Sequence, residues 1–321
     1  MEIVIASGKG GTGKTFLASN LSYYLSQERR EEVIAVDADV EAPDLLLTLG
    51  GGVKEIWSED FFGLKLPVID YNVCQKCWQC IDACEFNALI KTERGPILIP
   101  EKCEGLGTCG IVCPSGAISF KERKIGKLFS AYTRFGIEVI TGDLDVGCGN
   151  SGRLVYELKR EAYERKREEG KEFLIVDAAP GIGCPVIASL RGADRLVIVL
   201  EPTYQSLKGA KRLLEVAYCF GIETLGVLNK IDLNPEFASI ARRELEIPII
   251  GNIDYDSRVV EAYTSMRPLL EMYPESKISM ELKEIVERLE YVREKLRIKY
   301  EILGKQYYPK GTQTTMDRWM E

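Results

Sequence analysis

The stretch GKGGTGKT, from Gly8 to Thr15, holds the residue types that a phosphate cradle needs. Glycines let successive backbone N–H groups turn toward phosphate oxygens, and a helix that begins where the loop ends adds positive potential. Lys14 is spaced to reach the outer phosphates of a nucleotide, and the Thr15 hydroxyl to ligate Mg2+. Gly8, Gly10, Gly11, Thr12, Gly13, Lys14, Thr15 and Phe16 are therefore expected to surround the nucleotide. Lys9 is not required for that cradle, and a second lysine at the loop's entrance calls for its own explanation.

The other chemistry-bearing pattern is made of cysteine. The run Cys74-x2-Cys77-x2-Cys80-x3-Cys84 resembles the iron–sulfur run of bacterial ferredoxins. It recurs with an offset of 29, since 103 − 74, 109 − 80 and 113 − 84 all equal 29. Cys103, Cys109 and Cys113 thus match Cys74, Cys80 and Cys84, and Leu106 stands where Cys77 would repeat. In the two-cluster ferredoxin fold the fourth cysteine of each run ligates the other cluster. The resemblance then implies one site from Cys74, Cys77, Cys80 and Cys113. It implies a second from Cys84, Cys103 and Cys109, suited to a 3Fe–4S cluster or a 4Fe–4S cluster with a ligand that is not cysteine. Zinc is the alternative, although four-cysteine zinc sites usually pair two CxxC units across a longer gap.

Composition bounds these readings. At 321 residues, with 45% hydrophobic and 28% charged residues, the chain has the make-up of a globular protein with a proper core. A net charge of −7 argues against nucleic acid as partner. No apolar run approaches the ~18 residues of a membrane span, and the N-terminus lacks the pattern of a signal peptide. The expectation is a cytoplasmic protein, in which ten cysteines point to metal or redox chemistry rather than disulfides.

The elements that must position these residues are legible in outline. Glu2–Ala6 is an apolar run feeding the glycine loop, and 14–27 has helical spacing with Leu17, Leu21, Tyr24 and Leu25 on one face. Further strands are expected at 33–36, 138–141, 173–176, 196–200 and 225–229, with helices at 154–167 and 208–220 between them. Apolar strands alternating with helices predict an α/β fold, a doubly wound parallel sheet covered on both faces. The rhythm breaks where Cys, Gly and Pro concentrate. The expected organisation is a first part of the ATPase domain over 1–65, an inserted α+β domain over 66–122, the second part over 123–300 and a tail over 301–321.

The KGGxGKT form, with its extra lysine, resembles the deviant Walker ATPases, the P-loop NTPases of SIMIBI type that include MinD, Mrp and the nitrogenase iron protein. The resemblance implies a homodimer in which Lys9 reaches the partner's nucleotide, so that Mg2+-dependent ATP hydrolysis requires dimerisation. It places a first switch at Asp37 and Asp39 and a second at Asp177-Ala-Ala-Pro-Gly181, where Asp177 resembles the Walker B acid that holds Mg2+ through water. Carboxylates at strand ends suit metal binding and orientation of the attacking water. Asp39 is assigned the water and Asp37 the metal, roles the sequence leaves exchangeable. Asn229 begins Asn-Lys-Ile-Asp, which fits the guanine-reading NKxD, whereas in the resembling ATPases an asparagine here contacts adenine. ATP is the expected nucleotide by that resemblance.

Cys148 and Cys184 stand in contexts like those of the nitrogenase iron protein's ligands, where one cluster bridges two subunits. They are candidates for such a bridging site, with buried structural thiols as the alternative. The expected function is a dimeric iron–sulfur ATPase that couples ATP hydrolysis to cluster transfer, or to electron transfer, toward a redox or apo-protein partner. The alternative is a MinD-like positioning or regulatory ATPase. Leu289, Val292 and Leu296 form a stripe on a terminal helix, but acids mixed among its bases argue against a membrane partner.

Overall fold

The continuous apolar runs become the centre of a nine-stranded sheet. In this computed structural model, residues 1–302 are described, 290–302 by the course of the last helix alone. Strands β1 (Glu2–Ala6), β2 (Val33–Ala38), β8 (Phe173–Ala178) and β9 (Arg195–Leu200) are buried at every position, which is why they read as runs rather than alternations. The order is β11-β10-β9-β1-β8-β2-β7-β6-β3, with β10 at Glu223–Asn229 and β11 at Ile249–Ile253. All neighbours from β11 to β7 (Glu138–Leu144) are parallel.

Helices cover both faces. On one face α5 (Ser151–Glu169), α6 (Cys184–Leu190), α7 (Tyr204–Phe220) and α8 (Phe237–Leu245) bury Leu154, Leu158, Val186, Leu213 and Ala241. On the other α1 (Lys14–Tyr23) and α11 (Lys277–Ile302) bury Leu17, Leu21, Leu282 and Ile285. The short helices α2 (Leu45–Thr48), α9 (Ser257–Thr264) and α10 (Leu269–Met272) lie along the chain between them. The first helix does not run unbroken to residue 27: after Tyr23 it widens into a π-helical turn, Tyr24–Glu28. Leu289, the first residue of the expected terminal stripe, is buried in the second core. Val292 and Leu296 fall where only the helix is described, and the tail from residue 303 lies outside the described residues.

The sheet is mixed rather than wholly parallel. β6 (Ile118–Thr133) pairs antiparallel with β7, and β3 (Gly52–Ile69) pairs antiparallel with β6 along nearly its whole length. This long ribbon carries the cysteine region at its far end: α3 (Gln79–Asp82), a two-stranded sheet of β4 (Leu89–Thr92) and β5 (Gly95–Leu98), and α4 (Thr108–Ile111). The sequence repeat is also a repeat of backbone. The bounds of α3 and α4 differ by 29 at each end (108 − 79, 111 − 82). Left-handed residues recur at the same offset, Lys76 and Trp78 in the first half against Gly105 and Gly107 in the second. The halves exchange matching hydrogen bonds, Asp70 N–H to Ala117 O at 2.8 Å and Ile99 N–H to Ala88 O at 2.7 Å.

Candidate functional site

The glycine loop leaves β1 and ends on α1, so its residues stand at the carboxyl edge of the central strands. Lys14 is buried. Thr15 Oγ1 donates to Asp177 Oδ2 at 2.6 Å, bringing together two residues 162 apart in sequence. The other carboxylate oxygen, Asp177 Oδ1, is buried with no partner within the chain. Burial pushes the Asp177 carboxyl up to about 7, against the nearby Lys14 charge and the Thr15 hydrogen bond. The Thr15 hydroxyl and the Asp177 carboxylate, one of whose oxygens is buried and unpartnered, make a donor set that fits a hard divalent cation such as Mg2+.

Asp37 and Asp39 have different environments. Asp37 is buried and both its oxygens accept backbone N–H groups, from Asp39 at 3.1 Å and Leu45 at 2.8 Å. Its contacts hold the turn after β2. Burial, then the nearby Asp177, push its carboxyl well above the ordinary range. Asp39 is half-buried, raised by burial and opposed by Lys14, so its carboxylate stands near the cradle lysine. The segment from Asp177 to Gly181 is tied to the loop by Gly181 N–H donating to Ser7 O at 2.9 Å.

Asn229 is drawn to the loop itself. Its Nδ2 donates to Thr12 O at 2.8 Å and its Oδ1 accepts Lys230 N–H at 3.0 Å. Lys230 adds a bond from Nζ to Gly11 O at 3.1 Å, and Asp232 accepts the Tyr255 N–H at 2.6 Å. Asn229 and Lys230 thus hold the phosphate loop by two of its carbonyls. Gly8 meets Gly209 of α7 backbone to backbone, with no room for a side chain on either. Lys9 forms an ion pair with Glu201 at the end of β9. Neither Glu201 nor Gly209 lies in a motif of the sequence. A carboxylate closing an apolar strand beside the loop was the available signal for Glu201, the same signal that marked Asp177.

The ribbon's far end holds two cavities. Cys74, Cys77, Cys80 and Cys113 line one, and Cys84, Cys103 and Cys109 line the other, with Leu106. Burial raises the thiols of Cys80 and Cys109, which occupy equivalent positions in the repeat. Cys184 is exposed at the start of α6 and Cys148 is half-buried against the first core. Gly152 of α5 packs against the Cys184 backbone and Cβ. Among the described residues no group of three or more His, Cys, Asp or Glu converges on a position for a single metal ion. No described helix is long and apolar enough to cross a membrane.

The model of the CobQ/CobB/MinD/ParA nucleotide binding domain matches residues 3–269. An uncharacterized protein of Methanocaldococcus jannaschii, MJ0578, is 31% identical over 289 residues, 90% of this chain and 96% of its own. The antiactivator FleN of Pseudomonas aeruginosa is 23% identical, covering 90% of this chain and 85% of FleN. The septum site-determining protein MinD of Pyrococcus horikoshii, solved with Mg-ADP, superposes with a TM-score of 0.57 at 19% identity, covering 91% of this chain and 96% of that one. Of these, FleN is a relative with a stated role, that of a regulator, while the superposition on MinD shows the fold. That likeness overturns the expected iron–sulfur ATPase that transfers clusters or electrons. Cysteine spacing speaks to ligands and is silent on the work that hydrolysis drives; the likeness falls on the positioning and regulatory alternative. The chain belongs to the CobQ/CobB/MinD/ParA nucleotide-binding family.

Proposed function

We propose that this protein is a regulatory or positioning ATPase that dimerises on ATP and resets by hydrolysis. The observation that carries this reading is the union of Lys14, Thr15 and Asp177 at one strand edge, in a loop whose other lysine, Lys9, pairs with Glu201. Thr15 and Asp177 would hold Mg2+, which supplies charge neutralisation at the outer phosphates. Lys14 binds those phosphates, and Asp39, near Lys14 and less buried than Asp37, orients the attacking water. Asp37 supports the turn that carries Asp39. Lys9 completes the site of a second copy.

The test is hydrolysis and dimerisation by the full chain. Lys14→Ala should lose nucleotide affinity by about 10- to 100-fold. Lys9→Ala should bind nucleotide yet lose turnover and nucleotide-driven dimerisation. Normal turnover in Lys9→Ala would sink the role in trans, and a preference for GTP in competition binding would sink the assignment of ATP.

For the insert we propose, as a separate point of cofactor content, that the two cysteine-lined cavities of the ferredoxin-like region hold iron–sulfur clusters. The support is that each cavity gathers thiols from both runs, with four in one and three in the other. This concerns what the insert holds and assigns no transfer activity. Iron and acid-labile sulfide should be found in protein purified without oxygen; their absence would end the proposal.

A further inference from the structure

Lys9, the lysine assigned to a partner's site, is bound to its own chain. Its ammonium pairs with Glu201 Oε1, and both side chains are largely buried, 26% and 15% exposed. Glu201 is itself held in place. Its N–H donates to Ser206 Oγ at 3.2 Å, and its carbonyl accepts the Thr203 N–H at 2.7 Å in the turn that starts α7. The second carboxylate oxygen has Lys230 Nζ at 3.7 Å, and the same ammonium donates to Gly11 O. One carboxylate therefore lies between two cations on the rim of the phosphate loop.

From this geometry we infer that Glu201 is a positioning residue that holds Lys9 in cis and so opposes dimerisation until nucleotide is bound. The inference rests on the proposed role of Lys9 in trans. An ammonium tied to a fixed carboxylate cannot also reach a second subunit, so the pair must break on dimerisation. Lys230 makes that step cheap. When Lys9 leaves, Glu201 keeps a cation at its other oxygen and is not left as an unpaired, largely buried charge, the costly outcome. The phosphates of the nucleotide bound by the partner compete for Lys9. A partly exposed ion pair of this kind is a brake, not a lock: its removal should shift an equilibrium by a factor of about three to ten.

The test measures dimerisation of the full chain with Mg2+ and a non-hydrolysable ATP analogue, by sedimentation, for wild type, Glu201→Gln, Lys9→Ala and the double variant. Glu201→Gln keeps the shape and removes the charge. It should tighten the dimer about three- to tenfold, with the monomer's nucleotide affinity unchanged. In the Lys9→Ala background the same substitution should have no effect. A merely structural Glu201 would alter melting temperature but would not show this dependence on Lys9. An unchanged or weaker Glu201→Gln dimer, or a tightening that persists without Lys9, overturns the inference. If Lys9→Ala dimerises like wild type, it is the role of Lys9 in trans that fails. Should Glu201→Gln fold poorly, Glu201→Asp withdraws the charge from Lys9 and should tighten the dimer to a smaller degree; no tightening there overturns the inference as well.

Discussion

The phosphate loop and the cysteine region are both turns punctuated by glycine, but glycine does a different job in each. At the loop, a Cβ on Gly8 would lie 2.1 Å from the Gly209 carbonyl carbon, so the residue is needed for closeness between two backbones. In the insert, Gly107 has ordinary space around it and is needed for its φ of +78°. The first kind of glycine brings remote elements together: β1 and its loop against α7. The second kind only bends the chain locally. A site assembled from remote elements should fail as a whole when its glycine is replaced, whereas a bent loop should lose only the cost of the bend.

The largest effect is therefore expected at Gly8. Gly8→Ala forces backbone apart from backbone where no flexible side chain can yield, and should cost more than about 3 kcal/mol of unfolding free energy or abolish folding. Gly10→Ala is the control, because nothing lies within 4 Å of its added Cβ. It should leave stability within about 0.5 kcal/mol while crowding the space meant for phosphate. Urea unfolding of both variants decides the matter, and a Gly8→Ala curve like that of wild type would break the contrast.

This contrast also explains what the sequence could show. The β1–loop–α1 unit was legible because its residues are contiguous, and Asp177 because it closes an apolar strand. The Lys9–Glu201 pair was not, since its members are 192 residues apart and no motif links them. The ribbon of β3 and β6 was missed because it lies at the sheet edge with many exposed positions, including Val53, Phe62 and Val68, so neither an apolar run nor a clean alternation marks it. The cysteine repeat stood out by spacing alone, and the backbone repeats with it. What that spacing could not supply was the function, which had to come from the family as a whole.

A second difference between the regions is the pH at which their buried acids act. Burial raises Asp177 into the neutral range, whereas it raises Cys80 and Cys109 from an already alkaline starting point. An acid whose folded pKa is raised binds extra protons when folded, so the stability it contributes is full at low pH and is lost as pH rises through the folded value. For Asp177 that window runs from about 4 to about 7. The nucleotide-free protein should lose on the order of 2 kcal/mol through this group between pH 5 and 7. Asp177→Asn should flatten that slope while Asp37, also raised, continues to contribute in both proteins. Mg2+ and nucleotide should flatten it in wild type by stabilising the charged carboxylate. Identical slopes in wild type and Asp177→Asn would show that this carboxyl does not titrate where its burial places it.

The smallest effect lies inside the insert, where its two halves test the local kind of glycine. Lys76 and Trp78 flank Cys77 with φ of 55° and 67°; Gly105 and Gly107 flank Leu106 with φ of 70° and 78°. The same bend is thus made by residues with a Cβ in one half and without one in the other, so the strain of a left-handed side chain is tolerated where the four-cysteine cavity lies. Gly107→Ala adds a methyl in ordinary contact with Phe120 and should cost only that strain, about 1 kcal/mol. Gly105→Ala adds the same strain plus crowding at 3.3 Å from the Lys65 backbone nitrogen and Leu64 Cδ2, and should cost somewhat more, about 1–2 kcal/mol. Neither should alter nucleotide affinity, because neither added methyl meets a residue of the phosphate loop. Hydrogen exchange of the insert's amides, set beside nucleotide titrations, reads both quantities at once. A loss at Gly107→Ala as large as that at Gly8→Ala would mean that this loop too is holding remote elements together, and the distinction between the two kinds of glycine would fall.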